Sequence, residues 1–113
     1  MATLFWVYKV RSPKTLDEYE KYAKEKKVPG LRALPFVKSY ELYRIDKVFG
    51  PAVTDPKDAP TEPPYDIIAK MEVTSTEDLK KGLESPEGKA FMKEWSPFVH
   101  PSCVGTIGRI VEA

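Results

Sequence analysis

Apolar positions along this chain fall into short runs with a period of two, separated by longer amphipathic stretches with a period near 3.6. The run from Thr3 to Arg11, TLFWVYKVR, is rich in aromatic and β-branched residues and stops at Ser12-Pro13, which predicts a strand. Alternation puts Leu4, Trp6, Tyr8 and Val10 on one face and Phe5, Val7 and Lys9 on the other. Both faces are largely apolar, the pattern of a strand covered on both sides. Thr15-Leu16-Asp17-Glu18 is a capping box that opens a helix. Leu16, Tyr19 and Ala23 recur at i, i+3 and i+7, with Tyr22 on the margin of the stripe. Lys24-Glu25-Lys26-Lys27 reads as the solvated end of this helix, where cations complement the dipole, and not as a binding patch. Val28-Pro29-Gly30 is expected to break the helix, leaving Leu31 to Leu34 as one further turn before Pro35.

The stretch Phe36 to Asp46, FVKSYELYRID, predicts a second strand. Lys38, Tyr40, Leu42 and Arg44 share one face, and Val37, Ser39, Glu41, Tyr43 and Ile45 the other, so its orientation stays open. Lys47 to Pro64 holds five prolines and one glycine and is expected to form no regular element; loops this long are usually lids or mobile connections. Tyr65 to Val73 alternates well, with Tyr65, Ile67, Ala69, Met71 and Val73 on its apolar face. Ser75 with Asp78 caps a second helix that turns Leu79 and Leu83 inward. Ser85-Pro86 restarts it, and Phe91 and Trp95 then lie four apart on one side. Cys103 to Val111 predicts the last strand, with Gly105 and Gly108 as expected bulges.

The order βαββαβ predicts an α+β, ferredoxin-like domain over residues 1–113, a four-stranded antiparallel sheet with helices on one face. Two helices cover only one sheet face, and the other still carries apolar groups. A second copy packed face to face about a twofold axis is the economical cover, so a homodimer is expected.

At 42% hydrophobic and 31% charged residues the chain is globular in composition. A net charge of +1 removes the electrostatic argument for nucleic-acid binding. No apolar run reaches the roughly 18 residues of a membrane span, and Met1-Ala2-Thr3-Leu4 does not open like a signal peptide. With Cys103 as the single cysteine, no internal disulfide forms, which fits a cytoplasmic setting. His100 and Cys103 offer at most two soft ligands, so no metal is expected. Gly105-x-x-Gly108 lacks a following helix and is no nucleotide fingerprint, and no cofactor is expected.

Two Trp, six Tyr and five Phe stand out in so short a chain. Aromatic walls with a few polar handles suit a small, flat aromatic molecule. Trp6, Tyr40, Tyr43, Met71, Phe91 and Trp95 are the candidate substrate-binding residues, unless these rings simply fill a core. His100 and Tyr8 are the candidate catalytic residues. Histidine is the side-chain type whose ordinary pKa lies near neutrality, and Tyr8 shares the strand face of Trp6. Asp66, Lys70 and Glu72 share the mixed face of the third strand and form either a base in an apolar setting or ion pairs at the dimer seam. Cys103 reads as a small buried residue.

The segment YEKYAKEKKVPGLRALPFVKSYELYR resembles the REDY-like HapK family of the dimeric α+β barrel superfamily. Its Tyr-Glu helix (Tyr19, Glu20) leads through Pro29 and Arg32-Ala33-Leu34-Pro35 into Ser39-Tyr40-Glu41 and Tyr43-Arg44. The resemblance implies a small protein of pigment or other secondary-metabolite biosynthesis. Superfamily relatives include cofactor-free monooxygenases, muconolactone isomerases, EthD-like proteins and plant polyketide cyclases. The plant cyclases carry a histidine in the second-helix region, and the corresponding position here is Gly88, so their mechanism is not expected. Three functions remain. The chain is a cofactor-independent enzyme (cyclase or condensing, isomerase or monooxygenase type) acting on an aromatic or heteroaromatic intermediate, a non-catalytic carrier of such an intermediate, or a structural dimer with a filled interior.

Overall fold

The computed structural model describes residues 1–12, 14–48 and 62–111. The chain runs β1 (Ala2–Tyr8), α1 (Leu16–Tyr22), a π-helical turn (Ala23–Lys27), α2 (Val28–Arg32), β2 (Val37–Arg44), β3 (Ile67–Val73), α3 (Thr76–Glu84), α4 (Pro86–Trp95), a short 3₁₀ turn (Ser96–Phe98) and β4 (Val104–Gly108). Most of the proline-rich stretch 47–64 lies outside the described residues.

The four strands form one antiparallel sheet in the order β2-β3-β1-β4, with the helices on one face, the expected ferredoxin-like arrangement. β1 is central and pairs with both β3 and β4. The helices cover one of its two apolar faces. Leu4, Trp6 and Tyr8 face the helices, beside Ile67, Ala69, Met71 and Val73 of β3. Phe5 and Val7 lie on the uncovered face with Ile68, Lys70 and Glu72.

The caps form as the sequence predicts. Thr15 Oγ1 accepts from the Glu18 amide at 3.2 Å while the Glu18 carboxylate accepts from the Thr15 amide at 3.1 Å. Ser75 caps α3 and Ser85 caps α4, the latter ahead of Pro86 at the first helical position.

Three local readings are corrected. The first helix does not stop at Val28-Pro29-Gly30. It widens over Ala23–Lys27, where the Val28 amide donates to the Ala23 carbonyl five residues back, and then continues as α2. An α-helical Pro29 would clash with the carbonyl four residues earlier; the wide turn just before it absorbs that conflict. In β2, a bulge falls between Val37 and Ser39, so Val37 and Tyr40, three apart, are both buried on the helix side. In β4, the register with β1 is regular from Val104 to Gly108, without the expected glycine bulges. A Cβ on Gly105 would sit 2.5 Å from Trp6 Nε1, so this glycine makes room for the indole.

Two apolar clusters fill the space between sheet and helices. One gathers Leu4, Leu31, Val37, Tyr40, Met71 and Leu79; the other gathers Tyr8, Tyr19, Ala23 and Ile67. Trp6 packs against both. Arg32 ties α2 to β2 by donating from Nε and Nη2 to the Tyr40 carbonyl at 3.1 and 2.9 Å.

Candidate functional site

The clusters do not close on one another. Between them lies a cavity of about 260 Å³, lined by Trp6 and Tyr8 of β1, Tyr40 of β2, Ala69 and Met71 of β3, and by Lys27, Leu31, Leu79, Leu83, Met92, Trp95, Val99 and Cys103 from the helical layer and the approach to β4. The sequence places Trp6, Tyr8, Tyr40, Met71 and Trp95 at one site, and the structure brings all five to this wall.

The other three expected residues lie elsewhere. Tyr43 is 53% exposed on the opposite side of β2, where its hydroxyl donates to Glu41. Its spacing of three from Tyr40 in an extended strand sends the two rings to opposite faces. Phe91 lies behind the wall, edge-on to Trp95 at 6.4 Å between ring centroids and flush against Gly30 of α2. His100 is exposed in the turn before β4, where Nδ1 accepts from the Ser102 amide at 3.0 Å. Of the carboxylate alternatives, Asp66 accepts from the Val10 amide at 2.9 Å, and Lys70 and Glu72 stand 3.9 Å apart on the uncovered sheet face. None of these lines the cavity.

Lys27 does, although in the sequence it stands in a charge run that reads as solvated. It is 3% exposed. Its Nζ donates to Tyr19 Oη at 2.7 Å and to Tyr8 Oη at 3.1 Å, and the two hydroxyls are 2.8 Å apart. The amine also sits 3.9 Å from the centre of the Trp95 ring. Burial pulls its pKa down from 10.5 to about 7, since a charged ammonium is disfavoured in an apolar setting. Burial pushes Tyr19 up to about 12 and Tyr8 well above the ordinary tyrosine range, so both hydroxyls keep their protons. Burial also raises the Cys103 thiol, against a smaller opposing pull from Lys27.

The signal for Lys27 was in the spacing. Tyr19, Ala23, Lys27 and Leu31 step by four, and all four are buried. The lysine continues the apolar stripe; its neighbours Lys24, Glu25 and Lys26 are exposed.

The triangle of Nζ and two hydroxyls is a proton-sharing unit. With a neutral amine it holds four hydrogens for three contacts, so one N–H or O–H remains for a ligand. What the arrangement can do is accept or deliver a proton, or present a free amine, at one point of an otherwise apolar chamber.

This layout belongs to a sequence whose residues 2–109 match the family model described as REDY-like protein HapK. The chain belongs to the REDY-like HapK family. No curated protein matches the sequence. Among solved structures, HapK from Hahella chejuensis is 11% identical with a TM-score of 0.69, over 100% of this chain and 96% of that one. SnoaB from Streptomyces nogalater, a cofactor-independent oxygenase, is 10% identical with a TM-score of 0.66, over 99% of this chain and 94% of that one. A dimeric ferredoxin-like protein of unknown function from Thermobifida fusca is 15% identical with a TM-score of 0.57, over 96% and 90%. These likenesses establish the fold. At Gly88 of this HapK-family protein a Cβ would lie 2.0 Å from the Gly82 carbonyl oxygen and 2.9 Å from Leu83 Cα, so the backbone leaves no space for a histidine. Among the described residues no helix is long and apolar enough to cross a membrane, and no group of three or more His, Cys, Asp or Glu is placed to hold a metal ion.

Proposed function

We propose that this HapK-family protein is a small-molecule biosynthesis enzyme. It binds a flat aromatic or heteroaromatic secondary-metabolite intermediate in the cavity and acts on it by proton transfer at Lys27, without a cofactor. The observation that carries this reading is the placement of one buried amine, bonded to two tyrosine hydroxyls, in a chamber whose other walls are aromatic and aliphatic. Near neutral pH a large share of that amine is the free base. Cyclisation, condensation, isomerisation and cofactor-free oxygenation of such molecules can each begin by removing a proton from a phenol or from a carbon beside a carbonyl. Lys27 takes that proton in this reading, and Tyr8 and Tyr19 share the charge through their hydrogen bonds. The apolar walls orient the ligand and keep water from the reacting atoms. The described fold of an oxygenase that works without a cofactor is compatible with this.

The working form we propose is a homodimer. The uncovered sheet face carries Phe5, Val7, Ile68, Tyr43 and Val104, of which Tyr43 and Val104 are more than half exposed. A second copy covers such a face most simply.

The test is a thermal-shift screen with aromatic ketones, phenols and quinones, followed by turnover of any stabilising compound. Trp6→Ala abolishes the shift if the ligand occupies the cavity. Lys27→Met and Tyr8→Phe lose turnover while retaining binding if the amine does the chemistry. Unchanged turnover in both variants removes the proton-transfer role, and binding without turnover in the wild type replaces the enzyme by a carrier. Failure of every flat aromatic compound to bind ends the reading.

A further inference from the structure

The geometry points to Lys27 as a covalent anchor: its amine condenses with an aromatic aldehyde inside the cavity to give an imine. This deepens the reading above and rests on its cavity and its class of ligand, but it makes the amine a nucleophile toward the ligand's carbonyl carbon in place of the base that takes the ligand's proton.

Three observations lead there. First, among the described residues Lys27 is the one amine on the cavity wall, and none of them places a carboxylate there. The groups that face it are the Tyr8 hydroxyl from β1, the Tyr19 hydroxyl from α1, the Trp95 ring from α4 and, across the cavity, Tyr40 of β2 and Cys103 before β4. All are neutral when protonated, so among the described residues these neighbours offer an ammonium no counter-ion. A buried amine without a counter-ion gives up its proton and becomes a nucleophile. Second, the apolar wall admits a neutral carbonyl compound readily, whereas an anion entering it would lose its hydration for one hydrogen-bonding cluster. Third, the tyrosines supply the proton traffic that imine formation needs. Tyr8 Oη lies 3.1 Å from Nζ and 2.8 Å from Tyr19 Oη, so a proton can pass along the pair.

The step balances without any oxidant or reductant. The Nζ lone pair attacks the aldehyde carbon, a C–N bond forms, and the carbonyl π electrons move to oxygen. The oxygen takes a proton from Tyr8, and the nitrogen returns one to the tyrosine pair, giving a carbinolamine. A second proton delivered through Tyr8 releases the hydroxyl as water, the nitrogen lone pair forms the C=N bond, and the last N–H proton goes back to the tyrosines. Amine plus aldehyde becomes imine plus water. Protonated, that imine draws electrons from the former carbonyl carbon and makes it the acceptor in a condensation.

The experiment uses the full-length protein, 2-naphthaldehyde as probe and cyanoborohydride at pH 7, read by intact mass and peptide mapping. The expected result is one naphthylmethyl group per chain, on the peptide containing Lys27. At pH 7 the preference over a surface lysine should be on the order of a thousandfold, because surface amines are almost wholly protonated there. Mapping separates this adduct from labelling of the N-terminal amine. Labelling of that peptide falls to background in Lys27→Met, and it slows in Tyr8→Phe, which keeps the amine and loses the proton carrier. 2-Naphthylmethanol, which cannot form an imine, reports occupancy of the cavity by thermal shift. If the alcohol stabilises the protein but Lys27 stays unlabelled, or the label sits only on other amines, the inference is overturned and the binding reading stands. If neither compound stabilises or labels the protein, both fall.

Discussion

Replacing Lys27 by methionine should flatten the dependence of stability on pH between about 7 and 9. In the folded protein burial pulls the Lys27 pKa from 10.5 to about 7. Above pH 7 the folded amine is therefore neutral, while the unfolded chain's lysine keeps its proton up to the ordinary value. The unfolded state binds the extra proton, so stability rises with pH across this window and is flat below it. Each pH unit contributes about 1.4 kcal/mol, so the climb from pH 7 to pH 9 is about 2–3 kcal/mol, or about 10 °C in Tm for a chain of this size. The upper limit comes from groups of opposite sign. Burial raises the Cys103 thiol in the fold, so from about 9.0, where the unfolded thiol ionises, its opposite slope offsets the rise due to Lys27. Tyr8, Tyr19 and Tyr40, all raised by burial, act the same way above about pH 10. The assay is reversible urea unfolding at half-unit pH steps, at fixed protein concentration because a dimer's stability depends on it. Wild type should climb and Lys27→Met should not. A flat wild-type profile, or the same slope in both proteins, refutes the buried neutral amine.

Other expectations follow from single contacts. Gly88→Ala should cost at least about 2–3 kcal/mol in a thermal melt, because its Cβ meets backbone atoms that cannot yield; a variant as stable as wild type would contradict this packing. Phe5→Lys should shift the protein to monomer in light scattering behind size exclusion, since it puts like charges across the proposed twofold seam. An unchanged dimer mass would place the interface elsewhere. His100→Ala should change stability by about 0.5 kcal/mol or less and leave ligand binding intact, as this exposed ring bonds only to Ser102 among the described residues; loss of binding would return His100 to the site.

What the sequence reveals here depends on whether a residue's role is local. Thr15 with Glu18, Ser75 with Asp78 and Ser85 with Pro86 set their helix starts through bonds three residues long, and all three were legible. The alternation of Ile67, Ala69, Met71 and Val73 gave the covered face of β3, because both ladder partners preserve the period. The period fails at Val37, where one extra residue in the ladder turns Val37 and Tyr40 to the same side, and nothing in FVKSYELYR marks that insertion. Pro29-Gly30 looked like a stop because proline is usually one; the turn that accommodates it is a tertiary compromise, with Gly30 giving the Phe91 ring its seat. The aromatic half of the cavity was visible in composition and strand phase. Its polar centre was not, because Lys27 stands among three exposed charged residues and a run of charges reads as solvent-facing. His100 misled for the opposite reason. Histidine is a frequent catalytic residue type, but no periodicity ties a turn residue to any wall.

The widened turn at Ala23–Lys27 lies between two α-helical stretches, α1 before it and α2 after it. Such a turn holds one residue more than uniform winding needs, so the two flanks keep a common phase across it. Removing a residue from α1 or α2 instead would rotate everything beyond it by about 100° and carry Leu31 away from the buried side that Tyr19 shares. Substitutions can retune the chamber, but a single-codon deletion in either regular stretch would dismantle it.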